Sequence, residues 1–208
     1  FMDCGKLEEF DLSRVETIGD KAFMCTALKE ADLVSATTIG SFAFAETAIT
    51  EVTFGENLAN LGDNPFYGCE IASFGVYQDV EKFEGIKEFN ENLTISANVF
   101  VENGVLYRIT ENGDYELVSY PMLKADRSYA VKDGTTRISA RAFYNTQIVN
   151  VFMPYELKAI GDKAFYAASK LSCVTFTSLA APNLEEEYDD FYHTTANSPY
   201  GGLIGSGL

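Results

Sequence analysis

The side chains here that could do chemistry are four cysteines, one histidine and a surplus of carboxylates. Cys4, Cys25, Cys69 and Cys173 form no Cys-x-x-Cys or Cys-x-x-His pair, which excludes zinc-ribbon and thioredoxin-like sites. Four cysteines in 208 residues are also too sparse for a disulfide scaffold. His193 is the only histidine, so a multi-histidine metal site is impossible and a His-based dyad has one place to be. It sits among Tyr192, Thr194 and Thr195 with no nucleophile or acid at a telling spacing, and a surface-loop histidine is the plainer reading. The run Glu185-Glu-Glu-Tyr-Asp-Asp190 offers oxygen ligands for calcium but lacks the Asp-x-Asp-x-Asp-Gly spacing. A solvated acidic cap explains it more simply. No Gly-x-Ser-x-Gly, P-loop, His-Glu-x-x-His or dinucleotide fingerprint occurs. A glycosidase needs two carboxylates ~5–10 Å apart in a cleft, one with a raised pKa, and no spacing here requires that. The residues thus predict no catalytic residue, no metal and no cofactor.

Charge narrows the partners. Against 31 Asp+Glu stand 15 Lys+Arg, a formal net charge of −16. Like charge at long range disfavours DNA, RNA and anionic membrane surfaces. No apolar run approaches the ~20 residues of a membrane helix, so no membrane insertion is expected. Hydrophobic residues at 47% and charged residues at 22% are ordinary globular composition. The chain opens Phe1-Met2-Asp3-Cys4, with neither an initiating Met nor a signal peptide, which predicts a start inside a longer precursor.

The elements that must carry these residues come from an internal repeat. Thr17-Ile18-Gly19-Asp-Lys-Ala22-Phe23 recurs as Thr38-Ile39-Gly40-Ser-Phe-Ala43-Phe44 and as Asn60-Leu61-Gly62-Asp-Asn-Pro65-Phe66. It returns as Arg137-Ile138-Ser139-Ala-Arg-Ala142-Phe143 and Ala159-Ile160-Gly161-Asp-Lys-Ala164-Phe165. The Phe positions 23, 44 and 66 lie 21 and 22 residues apart, and 143 and 165 again 22. Each Phe is followed by a run alternating apolar and polar: Leu28–Leu33, Ile49–Phe54, Ile71–Val76, Ile148–Met153 and Leu171–Phe176. Leu7–Leu12 is the same run from a repeat lacking its first half. Period 2 reads as a strand, and the Ile-Gly-x-x-Ala-Phe half supplies the opposite wall as a turn or short helix. Its Gly suits close backbone approach, its Ala close stacking, and its Phe fills the core. No such coil buries its own apolar face, so neighbours must stack into a solenoid.

The interval from Phe66 to Phe143 breaks the period. Ile86-Lys-Glu-Phe89 reads as one worn repeat strand. Val99–Glu102, Asn103-Gly104 and Val105–Arg108 read as a hairpin, because Asn-Gly favours the type I′ turn. A second turn, Glu111–Asp114, leads into Tyr115–Tyr120, giving a three-stranded meander, and Ser128–Val131 leads back to the repeats. The predicted organisation is repeats over 1–76, a degenerate repeat and meander over 77–134, repeats over 135–180, and an acidic cap with a Gly-rich tail over 181–208. Without a Pro/Gly/Ser linker, these form one continuous domain. Residues 177–195 would hide the last coil.

The Ile-Gly-x-x-Ala-Phe … Leu-x-x-Val-x-Phe pattern resembles the BspA-type leucine-rich repeat of bacterial surface proteins. Gly104-Val105-Leu106-Tyr107 and Leu117-Val118-Ser119-Tyr120-Pro121 match a segment that its members carry between repeat blocks. The resemblance implies an α/β solenoid, a right-handed leucine-rich-repeat superhelix with a concave parallel β-sheet, interrupted here by the β-meander insert. It also implies an exported or cell-surface bacterial binding protein. Such a protein would engage a protein or glycan, with a purely structural spacer as the alternative.

Alternation then defines candidate site residues. The first outward column is Glu9, Glu30, Glu51, Ser73, Asn150 and Cys173; the second is Asp11, Asp32, Thr53, Gly75, Phe152 and Thr175. In a parallel ladder, five carboxylates would crowd one end, about 4.8 Å apart, unless water, salt or a cation relieves them. Glu9, Asp11, Glu30, Asp32, Glu51, Thr53, Asn150 and Phe152 are the predicted ligand-binding residues, for a cationic or polyhydroxylated partner. A merely solvated sheet face is the competing reading. Phe152, Tyr155 and Tyr144 make the other end more aromatic, with Tyr144 on the opposite wall. Cys4 and Cys25, 21 residues apart, would occupy equivalent positions within disulfide reach. Buried free thiols are the simpler alternative.

Overall fold

The computed structural model describes residues 1–74, 76–79, 87–90, 93–94, 98–178 and 180–185. Among these there is no helix. Of the two options for the wall opposite the strands, turns are the one adopted. No helix is therefore long and apolar enough to cross a membrane among the described residues.

The repeats alternate a strand of one sheet, two residues long except at Thr135–Ile138, a turn, and a strand of three or four residues in the other. The first block holds β1 (Thr17–Ile18), β2 (Glu30–Leu33), β3 (Thr38–Ile39), β4 (Glu51–Phe54) and β5 (Asn60–Leu61). The middle holds β6 (Val76–Asp79), β7 (Lys87–Asn90), β8 (Leu93–Thr94), β9 (Val99–Glu102), β10 (Val105–Ile109) and β11 (Tyr115–Ser119). The second block holds β12 (Ser128–Ala130), β13 (Thr135–Ile138), β14 (Asn150–Met153), β15 (Ala159–Ile160), β16 (Cys173–Phe176) and β17 (Asn183–Leu184). Long strands pair in parallel as β2-β4 and β12-β14-β16. Short strands pair in parallel as β1-β3-β5 on the second face.

Each coil is closed by its aromatic plug. Phe23 and Phe44 stack at 5.4 Å with rings 4° apart, and Phe44 and Phe66 at 5.5 Å and 4°. Phe143 and Phe165 repeat this at 4.9 Å. Each such pair contributes about 0.5–1.5 kcal/mol beyond its buried area. Between coils, alternate turn N–H groups donate forward: Lys21 to Ser41 O, Phe23 to Ala43 O and Cys25 to Ala45 O. The residues two before and two after each Phe have positive φ, as at Lys21, Cys25, Phe42 and Glu46. At Gly40 and Gly62 the glycine of the motif lets one coil's backbone approach the next. A Cβ on Gly40 would lie 2.4 Å from Asp20 N, and on Gly62, 2.3 Å from Ser41 N.

The insert is spliced into the core. β9, β10 and β11 form the expected antiparallel meander, with Asn103 and Gly104 both at positive φ (51° and 71°) as a type I′ turn needs. β11 then pairs in parallel with β13, so the short-strand sheet runs β17-β15-β13-β11-β10-β9-β8. Both meander faces are buried. Val99, Val101, Leu106 and Val118 join the core of the first block; Val105, Tyr107, Leu117 and Tyr120 join that of the second. The meander is thus a partition between two core clusters. Tyr120 takes the plug position of the missing Phe, stacked on Phe143 at 5.1 Å, with its N–H on Ala142 O.

Several expectations are corrected. Leu7–Leu12 and Ile71–Phe74 are not paired strands, although Leu12, Ile71 and Phe74 are buried. Phe74 N–H instead bonds Gly104 O at the hairpin tip. The worn repeat strand at 86–89 is, over Lys87–Asn90, one half of an antiparallel pair with β6. Ile86 lies outside the described residues. Phe176, expected inside, is 37% exposed. Within the expected cap, Asn183–Leu184 extends the short-strand sheet beside β15. Residues 186–195, His193 and the Gly-rich tail lie outside the described residues.

Candidate functional site

The long-strand face carries the predicted columns. β2 and β4 pair so that Glu30 stands beside Glu51 and Asp32 beside Thr53. Their partners Ala31, Leu33, Val52 and Phe54 are buried, which forces the polar residues outward. Glu30, Asp32 and Glu51 are exposed, and no described cation pairs with them. Glu9 and Asp11 are exposed too, but they precede the first paired strand, so the five-carboxylate ladder is in fact one Glu–Glu pair with flanking acids. Asp11 instead accepts from the Ser13 N–H at 3.0 Å and its hydroxyl at 2.6 Å. These bonds hold its carboxyl below the usual range. Asp32 likewise receives the Val34 N–H at 3.3 Å. Glu8, one residue before the column, pairs with Lys29 at 2.7 Å. In the second block, Ser128, Asn150 and Cys173 stand in one column, and Ala130, Phe152 and Thr175 in the next. Asn150 donates to Ser128 Oγ at 3.0 Å, and Phe152 is 44% exposed. One end of this face is therefore acidic and the other neutral with an exposed ring. Ser73 leaves the column because its segment forms no strand, and Gly75 lies outside the described residues.

The cysteines are all free. Cys4 and Cys25 are one position out of register. Cys4 stands three after Phe1, and Cys25 two after Phe23, where Asp3 and Glu46 sit in neighbouring coils. Cys4 is exposed and Cys25 half-buried, so neither belongs to a buried thiol ladder. Cys69 is buried but stands in no thiol ladder: burial pushes its thiol up to about 11, and it packs on Thr47 and the Phe44 carbonyl. The offset Phe+3 is a recurring buried hydroxyl site. Thr26, Thr47 and Thr146 each donate to the carbonyl of their own coil's Phe. Counting from each Phe would have revealed this column and separated the two cysteines.

A charge network missed by spacing spans the short-strand sheet. Arg108, Glu116 and Arg137 occupy adjacent strands in register. Arg108 Nε meets Glu116 at 2.7 Å and its Nη2 meets Asp63 at 2.7 Å. Arg137 pairs with Glu116 and, at 2.6 Å, with Glu185. The signs alternate from Asp63 through to Glu185. Glu116 is only 3% exposed and also accepts from Ser139 Oγ at 2.6 Å. Burial alone would lower both arginine pKa values; the carboxylates more than reverse that. Glu185 is thus tied to the sheet rather than simply solvated, while 186–190 lie outside the described residues. Among the described residues, no cluster of three or more His, Cys, Asp or Glu could hold a metal.

The BspA type leucine rich repeat region matches residues 1–73 and 127–192, in six copies. A leucine-rich cell surface protein of Faecalibacterium prausnitzii superposes with TM-score 0.63 at 27% identity, over 78% of this chain and 39% of that one. The pneumococcal vaccine antigen PcpA superposes with TM-score 0.56 at 24% identity, over 79% of this chain and 43% of its own, a likeness of fold. The chain spans about two fifths of the length of these two proteins. No curated protein matches. The solenoid, its repeat and its matched span agree: the chain belongs to the BspA-type leucine-rich repeat family.

Proposed function

We propose that this chain is a non-catalytic binding module of an exported or cell-surface bacterial protein, engaging a cationic host or microbial protein through its long-strand face. The observation that carries the reading is the β2–β4 register, which sets Glu30 and Glu51 side by side in water with Asp32 next to them. Like charges on neighbouring strands cost stability. A partner that supplies cations relieves that cost, and solenoids commonly bind through such an extended face. The open, solvated setting of these acids suits recognition rather than acid–base chemistry, which needs a desolvated carboxyl. The cell-surface protein among the structural relatives supports an extracellular setting.

The test is a binding screen of the intact chain against purified extracellular proteins and glycans, repeated with Glu30→Lys/Asp32→Lys. A protein ligand should lose at least tenfold in affinity on charge reversal, and wild-type binding should weaken with salt. If every ligand found binds the reversed variant equally well, the acidic face is not the site. A screen in which only glycans bind favours the carbohydrate-module alternative, and one with no ligand at all favours a spacer.

A further inference from the structure

We infer that residues 186–194 lay one more turn of the solenoid over the last described coil, with Phe191 as its aromatic plug, and so cap that end of the stack. The described end is built to receive such a turn. Between successive coils of the second block, alternate turn N–H groups donate forward: Arg141 to Asp162 O, Phe143 to Ala164 O and Asn145 to Tyr166 O. The equivalent N–H groups of the last coil, on Lys163, Phe165 and Ala167, meet no acceptor among the described residues. Phe165 is buried, yet Phe143 is the one described ring stacked on it. The side chains repeat the pattern. Asp20 accepts the Ser41 N–H of the next coil at 2.7 Å, and Ser41 Oγ accepts that of Asp63 at 3.0 Å. Asp162 holds this position in the last coil. Its Oδ2 is buried without a hydrogen bond, Lys163 Nζ lying 3.4 Å away. Buried polar groups are rarely left so. Leu184 stands beside Ile160, so the N–H that answers Asp162 is that of Glu186.

The chain supplies the matching residues. Phe66-Tyr67-Gly68-Cys69, Phe143-Tyr144-Asn145-Thr146 and Phe165-Tyr166-Ala167-Ala168 recur as Phe191-Tyr192-His193-Thr194. The tyrosine after each plug stands in a row on the turn edge. Tyr67 meets Tyr144 at 4.2 Å across the seam between the repeat blocks, and Tyr144 meets Tyr166 at 6.0 Å. Tyr192 is next in that row. Thr194 holds the place of Thr26, Thr47 and Thr146, whose hydroxyls donate to the carbonyl of their own Phe. The family match itself runs on to residue 192. Phe165 comes five residues after Ile160 and Phe191 seven after Leu184, so the added turn takes up two extra residues within the acidic run Glu185–Asp190. Eight residues after Phe165 a long strand begins at Cys173; eight after Phe191 stands Pro199, which has no N–H for a ladder. The added turn therefore carries no long strand at that place. It is a cap rather than another full repeat, of the kind a solenoid end requires.

The experiment is hydrogen exchange on the intact chain, read at the Lys163, Phe165 and Ala167 amides. In the wild type these should exchange at least tenfold more slowly than in Phe191→Ala. Phe191→Tyr should keep most of that protection, since Tyr120 already serves as a plug. Protection of β2 and β4 should be the same in all three proteins, which separates loss of the cap from loss of the fold. Wild-type exchange as fast as in Phe191→Ala, Phe191→Tyr as damaging as Phe191→Ala, or an equal loss at β2 and β4 would overturn the proposal.

Discussion

At the residue scale, Glu116 decides more than any acid on the long-strand face. It is buried, and its two oxygens are shared among Arg108, Arg137 and Ser139. Replacing it would leave two guanidiniums on either side of β11 with no carboxylate between them. Glu116→Ala should therefore cost on the order of 3 kcal/mol, the low end for a broken buried pair because both arginines stay partly exposed. Glu116→Gln, which keeps an acceptor, should cost less. Urea denaturation of both variants measures this, and a loss within about 0.5 kcal/mol for Glu116→Ala would show the network to be dispensable.

At the element scale, the repeat holds because its turn brings backbone against backbone. Gly40 and Gly62 each lie where a Cβ would strike the preceding coil, whereas Gly19 has nothing within 4 Å. The three share one motif position but not one environment. Gly40→Ala should thus lower stability by about 1–3 kcal/mol through overpacking. Gly19→Ala should be neutral within about 0.5 kcal/mol. Thermal midpoints of the two variants check the contrast, and equal losses at both sites would mean the glycine serves backbone freedom rather than contact. Ser139, at the same position behind the meander, shows the alternative use: its hydroxyl reaches Glu116.

At the scale of the whole molecule, the meander couples two cores that would otherwise be separate. Leu106 packs into the first and Leu117 into the second, both fully buried on neighbouring strands. Leu106→Ala and Leu117→Ala should each cost roughly 2–5 kcal/mol. Hydrogen exchange should then show protection falling in both repeat blocks for either variant. Loss confined to the adjacent block would mean that the blocks open independently, as loosely coupled repeats can.

The sequence by itself determined the repeat, its family resemblance, the inward and outward columns of β2, β4 and β14, and the Asn103-Gly104 hairpin. These are local matters: period 2 sets facing, and a type I′ turn needs positive φ at both central residues. Tertiary structure alone decided how the insert joins the solenoid, because the β11–β13 pairing links segments with no shared motif. It also decided that Glu9 and Asp11 stand outside the paired ladder, since parallel pairing depends on hydrogen-bonded neighbours as well as on pattern. The Arg108–Glu116–Arg137 network and the Tyr67–Tyr144 seam were illegible for the same reason. Each is a meeting of residues from different coils, and a contact of that kind has no period along the chain.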